Sequence, residues 1–123
     1  FILGRDLNDA LKRAESYSKA GADLILIHSK ADTPKEIFSF SKKFSKSKYY
    51  KPLVAVPSTY SKVTEKELIN NGFKIVIYAN HLLRAAYPAM ENVALKVLKN
   101  SRSYESERDI ISIKKILNII PKV

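Results

Sequence analysis

Asp-Leu-Ile-Leu-Ile-His-Ser, residues 23 to 29, is the stretch on which the fold turns. Leu24 to Ile27 is apolar without alternation, as a strand covered on both faces requires, and polar residues arrive only at its carboxyl end. Two further runs have the same shape, Leu53 to Ser58 and Lys74 to Asn80, and Phe1 to Leu3 reads as the tail of a fourth.

Helical patterns fill the gaps. Asp6 is a good N-cap with Asp9 three residues on, and Ala10, Ala14, Tyr17 and Gly21 mark one face of a helix that Gly21 ends. Thr33-Pro34-Lys35-Glu36 reads as a capping box with proline at the first helical position. Thr64 and Glu67 form a second box, opening a helix that closes at Gly72. A fourth helix runs from about Leu82 past Leu98, with Pro88 near its start. Asn100 to Asp109 is a polar connection, and a short helix is expected over Ile110 to Ile120.

Strands alternating with helices mean an α/β fold with a parallel sheet. Both an open doubly wound sheet and part of a closed barrel fit. A complete barrel takes about 250 residues, and this chain has 123. A chain that opens inside an apolar triplet, without an initiator Met, is expected to be part of a longer protein.

The absence of cysteine removes disulfide frameworks and thiolate metal sites. No apolar run approaches the roughly 18 residues of a membrane span, and the start is not a signal peptide. The formal charge of +10 attracts anions, and six lysines against one glutamate crowd residues 35 to 51. Aromatic residues are interleaved there, so a basic α/β nucleic-acid-binding module is one reading. Against it, Ile37, Phe40 and Phe44 recur at core-helix spacing, which leaves Lys42, Lys43 and Lys46 on a solvated face.

Ligands of parallel α/β folds sit beyond the carboxyl ends of the strands. There the first strand offers His28, Ser29 and Lys30, the second Ser58 and Thr59, and the third Asn80 and His81, with Arg84 one turn into the next helix. All can donate hydrogen bonds, which suits an anionic carboxylate or phosphoryl group. Each also has a structural role open to it. His28 can bond a loop carbonyl, Asn80 and His81 can cap a helix, Lys30 can face solvent, Arg84 can pair with a carboxylate, and Ser58 and Thr59 can be loop hydroxyls. Their recurrence at successive strand ends is what favours a site. No acidic cluster, glycine-rich phosphate loop or nucleophile elbow accompanies them, so no metal ligands are assigned in this chain.

Three segments together carry a resemblance: Gly-Ala-Asp-Leu-Ile-Leu-Ile-His-Ser-Lys at 21 to 30, Pro-Leu-Val-Ala-Val-Pro-Ser at 52 to 58, and Ile-Val-Ile-Tyr-Ala-Asn-His-Leu-Leu-Arg-Ala-Ala at 75 to 86. In that order they resemble the phosphoenolpyruvate mutase family of the isocitrate lyase superfamily, whose members are β/α barrels. The resemblance implies the C-terminal half of a (β/α)8 TIM-type barrel, from the end of strand 5 through helix 8, plus a C-terminal helix. Residues 1–99 would be the partial barrel and residues 100–123 the loop and helix extension.

The resemblance further implies interconversion of phosphoenolpyruvate and phosphonopyruvate, the C–P bond-forming step of phosphonate biosynthesis. Mg2+ is the implied cofactor, with its ligands upstream of Phe1. His28 is the implied catalytic residue, near the transferring phosphoryl group, and His28, Ser29, Lys30, Ser58 and Asn80 the implied substrate contacts. His81 and Arg84 stand behind them. The family commonly has Thr where this chain has Ser58, which keeps a hydroxyl. The implied partner is a small anionic substrate rather than nucleic acid or membrane, in a cytoplasmic homo-oligomer. Alone, the chain is expected to be inactive and to aggregate or dimerise. Phosphonopyruvate hydrolase is the nearest alternative activity. A carbon–carbon lyase fits less well, because such relatives tend to carry an acidic residue at the position of His28. A receiver-like domain fits poorly for want of an acidic pair after an early strand.

Overall fold

The computed structural model describes Phe1 and residues 3–119, which form two compact units, Phe1–Ala79 and the chain from Asn80 onward. In the first unit the order is α1 (Leu7–Lys19), β1 (Ile25–Leu26), α2 (Lys35–Phe44), β2 (Leu53–Ala55), α3 (Glu65–Asn70) and β3 (Phe73–Val76). The strands form one parallel sheet in the order β1-β2-β3. The chain is therefore α/β with a small parallel sheet, as its alternation predicts.

All three strands are shorter than the apolar runs from which they are read. Beyond Leu26, Ala55 and Val76 the chain stays extended but drops out of the full ladder, keeping single bonds such as Ile27 N–H to the Val54 carbonyl (3.3 Å) and Ile77 N–H to the Ala55 carbonyl (2.9 Å).

Register divides the sheet into two rows of opposite character. Ile25, Leu53 and Phe73 stand side by side, and all are buried. They join Ile37, Phe40 and Phe44 of α2, Leu68 of α3 and Ala14 of α1 in one core. The neighbouring row is Leu26, Val54 and Ile75, of which Leu26 is 53% and Ile75 41% exposed while the central Val54 is buried. Period-two geometry puts Leu26 and Val54 on the opposite face, and a register shift between Leu53 and Val54, which passes over Lys74 on β3, brings Ile75 to the same side. A parallel sheet is normally covered on both faces, and here the outer positions of one apolar face, Leu26 and Ile75, are not.

In the first unit, helix starts follow their caps with one exception. The Asp6 carboxylate accepts from the Asp9 amide (2.8 Å). Thr64 and Glu67 bond reciprocally as a capping box. The expected box at Thr33 does not form: α2 starts after Pro34 without a side-chain cap, because Glu36 is taken by another partner, described below. On α1 the buried stripe runs through Ala14 and Ser18, and Tyr17, expected on that face, is half exposed. Tyr17 instead accepts from Arg13 Nη2 (2.9 Å). On α2 the stripe of Ile37, Phe40 and Phe44 is fully buried, and Lys42, Lys43 and Lys46 are exposed. Gly72 takes φ +86°, the left-handed conformation that lets the chain turn from α3 into β3.

The second unit holds α4 (His81–Asn100), a 3-10 turn (Tyr104–Ser106) and α5 (Ile113–Leu117). Pro88 lies inside α4. Lys96 pairs with Asp109, tying α4 to the segment after the turn. The turn falls within the stretch read as a polar connection. α5 is shorter than the helix expected over 110–120, and residue 120 lies outside the described residues.

Candidate functional site

The polar residues expected at a site follow the strands' carboxyl ends, where the ladder stops and side chains are no longer committed to a sheet face. Past β1 come buried Ile27, half-buried His28, buried Ser29 and exposed Lys30. Past β2 come buried Pro57, half-buried Ser58, exposed Thr59 and buried Tyr60. A tight turn from Ser58 N–H to the Val56 carbonyl (2.8 Å) re-aims this second loop.

The two loops are bound to each other through Ser29. Thr59 Oγ1 donates to the Ser29 carbonyl at 2.9 Å. The Ser29 hydroxyl donates to the Glu36 carboxylate in the first turn of α2 and accepts from the Ala31 amide (3.0 Å). Ser29 is fully buried, so its hydroxyl is committed to these partners. A carboxylate acceptor makes the bond to Glu36 charge-assisted, stronger than a neutral pair.

His28 rests against Tyr60, with ring centroids 6.2 Å apart and planes at 59°. Tyr60 is fully buried, and its hydroxyl and His28 Nδ1 are both buried without a hydrogen-bond partner among the described residues. Burial pushes the Tyr60 phenol above its ordinary range. The nearby Val56 backbone opposes this more weakly, without reaching hydrogen-bond geometry. His28 also lines a cleft of about 190 Å³ beside α1, together with Arg5, Asp9, Arg13 and Tyr17. Charge there is partly neutralised, since Arg5 pairs with Asp9 at 3.2 Å.

The first unit thus brings together His28, Ser29, Ser58 and Thr59, with Lys30 solvent-facing next to them. Asn80, His81 and Arg84 belong to the second unit, at the start of α4. Asn80 precedes the helix without a side-chain capping bond, and both Asn80 and Arg84 are exposed. Tyr60 and Glu36 were not expected at the site. Tyr60 lies one residue beyond the polar pair after β2, and an aromatic there is legible as a neighbour of a strand-end histidine. Nothing in the sequence marks Glu36 as anything but a helix cap.

Among the described residues no group of three or more His, Cys, Asp or Glu could hold a metal ion. No helix among them is long and apolar enough to cross a membrane.

Residues 1–98 match the family described as phosphoenolpyruvate phosphomutase. The chain is 36% identical over 119 residues to phosphoenolpyruvate phosphomutase of Tetrahymena pyriformis, covering 97% of this chain and 39% of that protein. It is also 36% identical over 119 residues to phosphonopyruvate hydrolase of Variovorax sp. (strain Pal2), covering 96% of this chain and 40% of that one. The solved structure of a phosphonopyruvate hydrolase complex with oxalate and Mg++ superimposes with a TM-score of 0.80 at 36% identity, over 96% of this chain and 41% of that chain. The chain therefore spans about 40% of the length of the relatives it matches.

Proposed function

Because this chain belongs to the phosphoenolpyruvate phosphomutase family, we propose that the full-length protein interconverts phosphoenolpyruvate and phosphonopyruvate. In this reaction the phosphoryl group leaves the enol oxygen and bonds to carbon 3, while the enol becomes a ketone. No proton is gained or lost. The demand on the protein is to orient a phosphoryl group and stabilise its charge, not to supply covalent machinery.

In this reading residues 1–99 supply the C-terminal half of a (β/α)8 barrel and residues 100–123 a loop and helix beyond it. Two observations support it: the chain spans about 40% of its relatives, and Leu26 and Ile75 are exposed on one face of the sheet, as residues of an inner barrel face would be. His28 donates to a phosphoryl oxygen, and Lys30, Ser58 and Asn80 contribute further donors around the anion. Ser29, with its hydroxyl held by Glu36, presents the loop that carries His28 and Lys30. His81 and Arg84, at the start of α4, are further candidate donors. Mg2+ would supply charge stabilisation from ligands elsewhere in the protein, since the described residues do not form a metal site. The partner is a small anion rather than nucleic acid or membrane, and the enzyme is a cytoplasmic homo-oligomer.

The observation that carries this reading is His28, half-buried at the end of β1 within a stretch that matches the family throughout. Hydrolysis of phosphonopyruvate to pyruvate and phosphate is a second reading, favoured by equal identity to the Variovorax hydrolase. Phosphorus NMR of the full-length protein with phosphonopyruvate and Mg2+ separates them, with residues 1–123 alone as the control. Phosphoenolpyruvate formed only by the full-length protein supports the mutase and the inactivity of this segment. Inorganic phosphate with pyruvate means the hydrolase. No turnover overturns both.

A further inference from the structure

We propose that Tyr60 is a positioning residue for His28: its buried hydroxyl, through one bridging water, supplies a hydrogen bond to His28 Nδ1 and fixes the imidazole with its proton on Nε2. This rests on the reading that His28 meets the ligand.

Two orphaned polar atoms carry the inference. The Tyr60 hydroxyl and His28 Nδ1 are both buried without a partner among the described residues. A buried polar atom left unpaired is costly, so native structures nearly always pair such groups with protein or with ordered water. Here the two belong to adjacent rings with centroids 6.2 Å apart. Rings at that spacing can be joined at their edges by one water, and such a bridge is nearly as favourable as a direct bond. Tyr60 itself sits in the core with Ile27, Ala55 and Leu68, away from bulk solvent.

The backbones on either side of the contact are fixed. Ser29, next to His28, accepts from Thr59, next to Tyr60, at 2.9 Å. Glu36 and the Ala31 amide hold the Ser29 hydroxyl from the other side. This link keeps the segment that carries Tyr60 beside the segment that carries His28.

The consequence is chemical. A neutral imidazole has one donor and one acceptor nitrogen, and the partner of one decides the role of the other. If Nδ1 accepts from the Tyr60-bound water, Nε2 carries the proton and can donate to an anionic oxygen. The opposite tautomer would present a lone pair to the ligand and repel it.

The test is nitrogen NMR of the full-length protein labelled at histidine, without ligand, at a pH where the imidazole is neutral. The signal of His28 is assigned by its loss in His28→Asn. The wild-type shifts should report the proton on Nε2. Tyr60→Phe keeps the ring and removes the hydroxyl, so its His28 shifts should move toward a mixture of tautomers. Turnover should fall about ten- to a hundredfold, chiefly in kcat. A wild-type protein with the proton on Nδ1 overturns the proposal whether or not the variant folds. Unchanged shifts in a folded Tyr60→Phe variant also overturn it. A tautomer that moves in a protein without mutase or hydrolase activity supports the Tyr60–His28 coupling and sinks only the proposed reaction.

Discussion

The hydroxyl of Ser29 donates to the carboxylate of Glu36, seven residues further on, and so joins the end of β1 to the first turn of the helix that follows. Ser29 is fully buried. Ser29→Ala would strip Glu36 and the Ala31 amide of a partner together, and the cost expected is about 1–3 kcal/mol. Thermal melting of the full-length protein checks this. Ser29→Thr, which keeps the hydroxyl, should recover part of the loss, and a melting temperature unchanged in Ser29→Ala would refute the link.

The Glu67 carboxyl is held below the usual carboxylate range, first by the Thr64 amide that donates to it and then by the Thr64 hydroxyl. A carboxyl whose value is lowered on folding stabilises the fold above its unfolded value, and that contribution disappears as pH falls through the folded one. Acid should therefore destabilise the wild type more than Glu67→Gln. At neutral pH, Thr64→Ala should cost about 1 kcal/mol through the lost cap. Melting curves between neutral pH and pH 3 test both; parallel curves for wild type and Glu67→Gln would contradict the first.

Gly72 adopts φ +86°, and a Cβ there would stand 3.1 Å from the Ser41 hydroxyl. That hydroxyl is engaged with the Asn71 carbonyl at 2.5 Å, so it cannot give way freely. Gly72→Ala is expected to cost about 1–2 kcal/mol from the left-handed backbone alone, with crowding added. Urea unfolding provides the measurement, and a neutral result would mean the turn can relax.

Tyr60 has its phenol raised above the ordinary range, chiefly by burial. The folded chain thus keeps this proton at a pH where the unfolded chain loses it. Its stabilising effect is complete below the unfolded value of about 10 and is lost as pH rises toward the folded one. Between pH 9 and 11 the wild type should lose melting temperature faster than Tyr60→Phe, which has no proton to lose. Equal slopes would count against burial as the cause.

Much of this fold was legible because its signals are local. Ile37, Phe40 and Phe44 announce a buried helix face by spacing alone, and Thr64 with Glu67 announces a start by chemistry alone. The same local logic failed at Thr33, where Glu36 has the right spacing for a box yet bonds Ser29 from another element. Short-range pattern has no view of that competition. Strand lengths failed likewise: apolar composition marks where a strand is possible, but ladder bonds need a neighbour in register. At the site, the strand-end residues were legible from their place after apolar runs. Tyr60 is harder to read, because aromatic residues in loops are more often core than machinery, and here Tyr60 is core while also abutting His28.

The exposed Leu26 and Ile75, flanking Val54 on one face of the sheet, also bear on how the protein is made. Helices α1 to α3 can pack on their side of the sheet as soon as β3 has left the ribosome, but in the proposed barrel the other side closes only against a first half that has emerged earlier and waited uncovered. During that interval the nascent chain presents greasy side chains in register on a sheet with two free edges, the kind of surface that chaperones shield and neighbouring nascent chains adhere to. Slow translation before residue 79 would lengthen the interval. Yield from a cell should therefore depend on synthesis rate and chaperone supply more steeply than the stability of the finished protein would indicate.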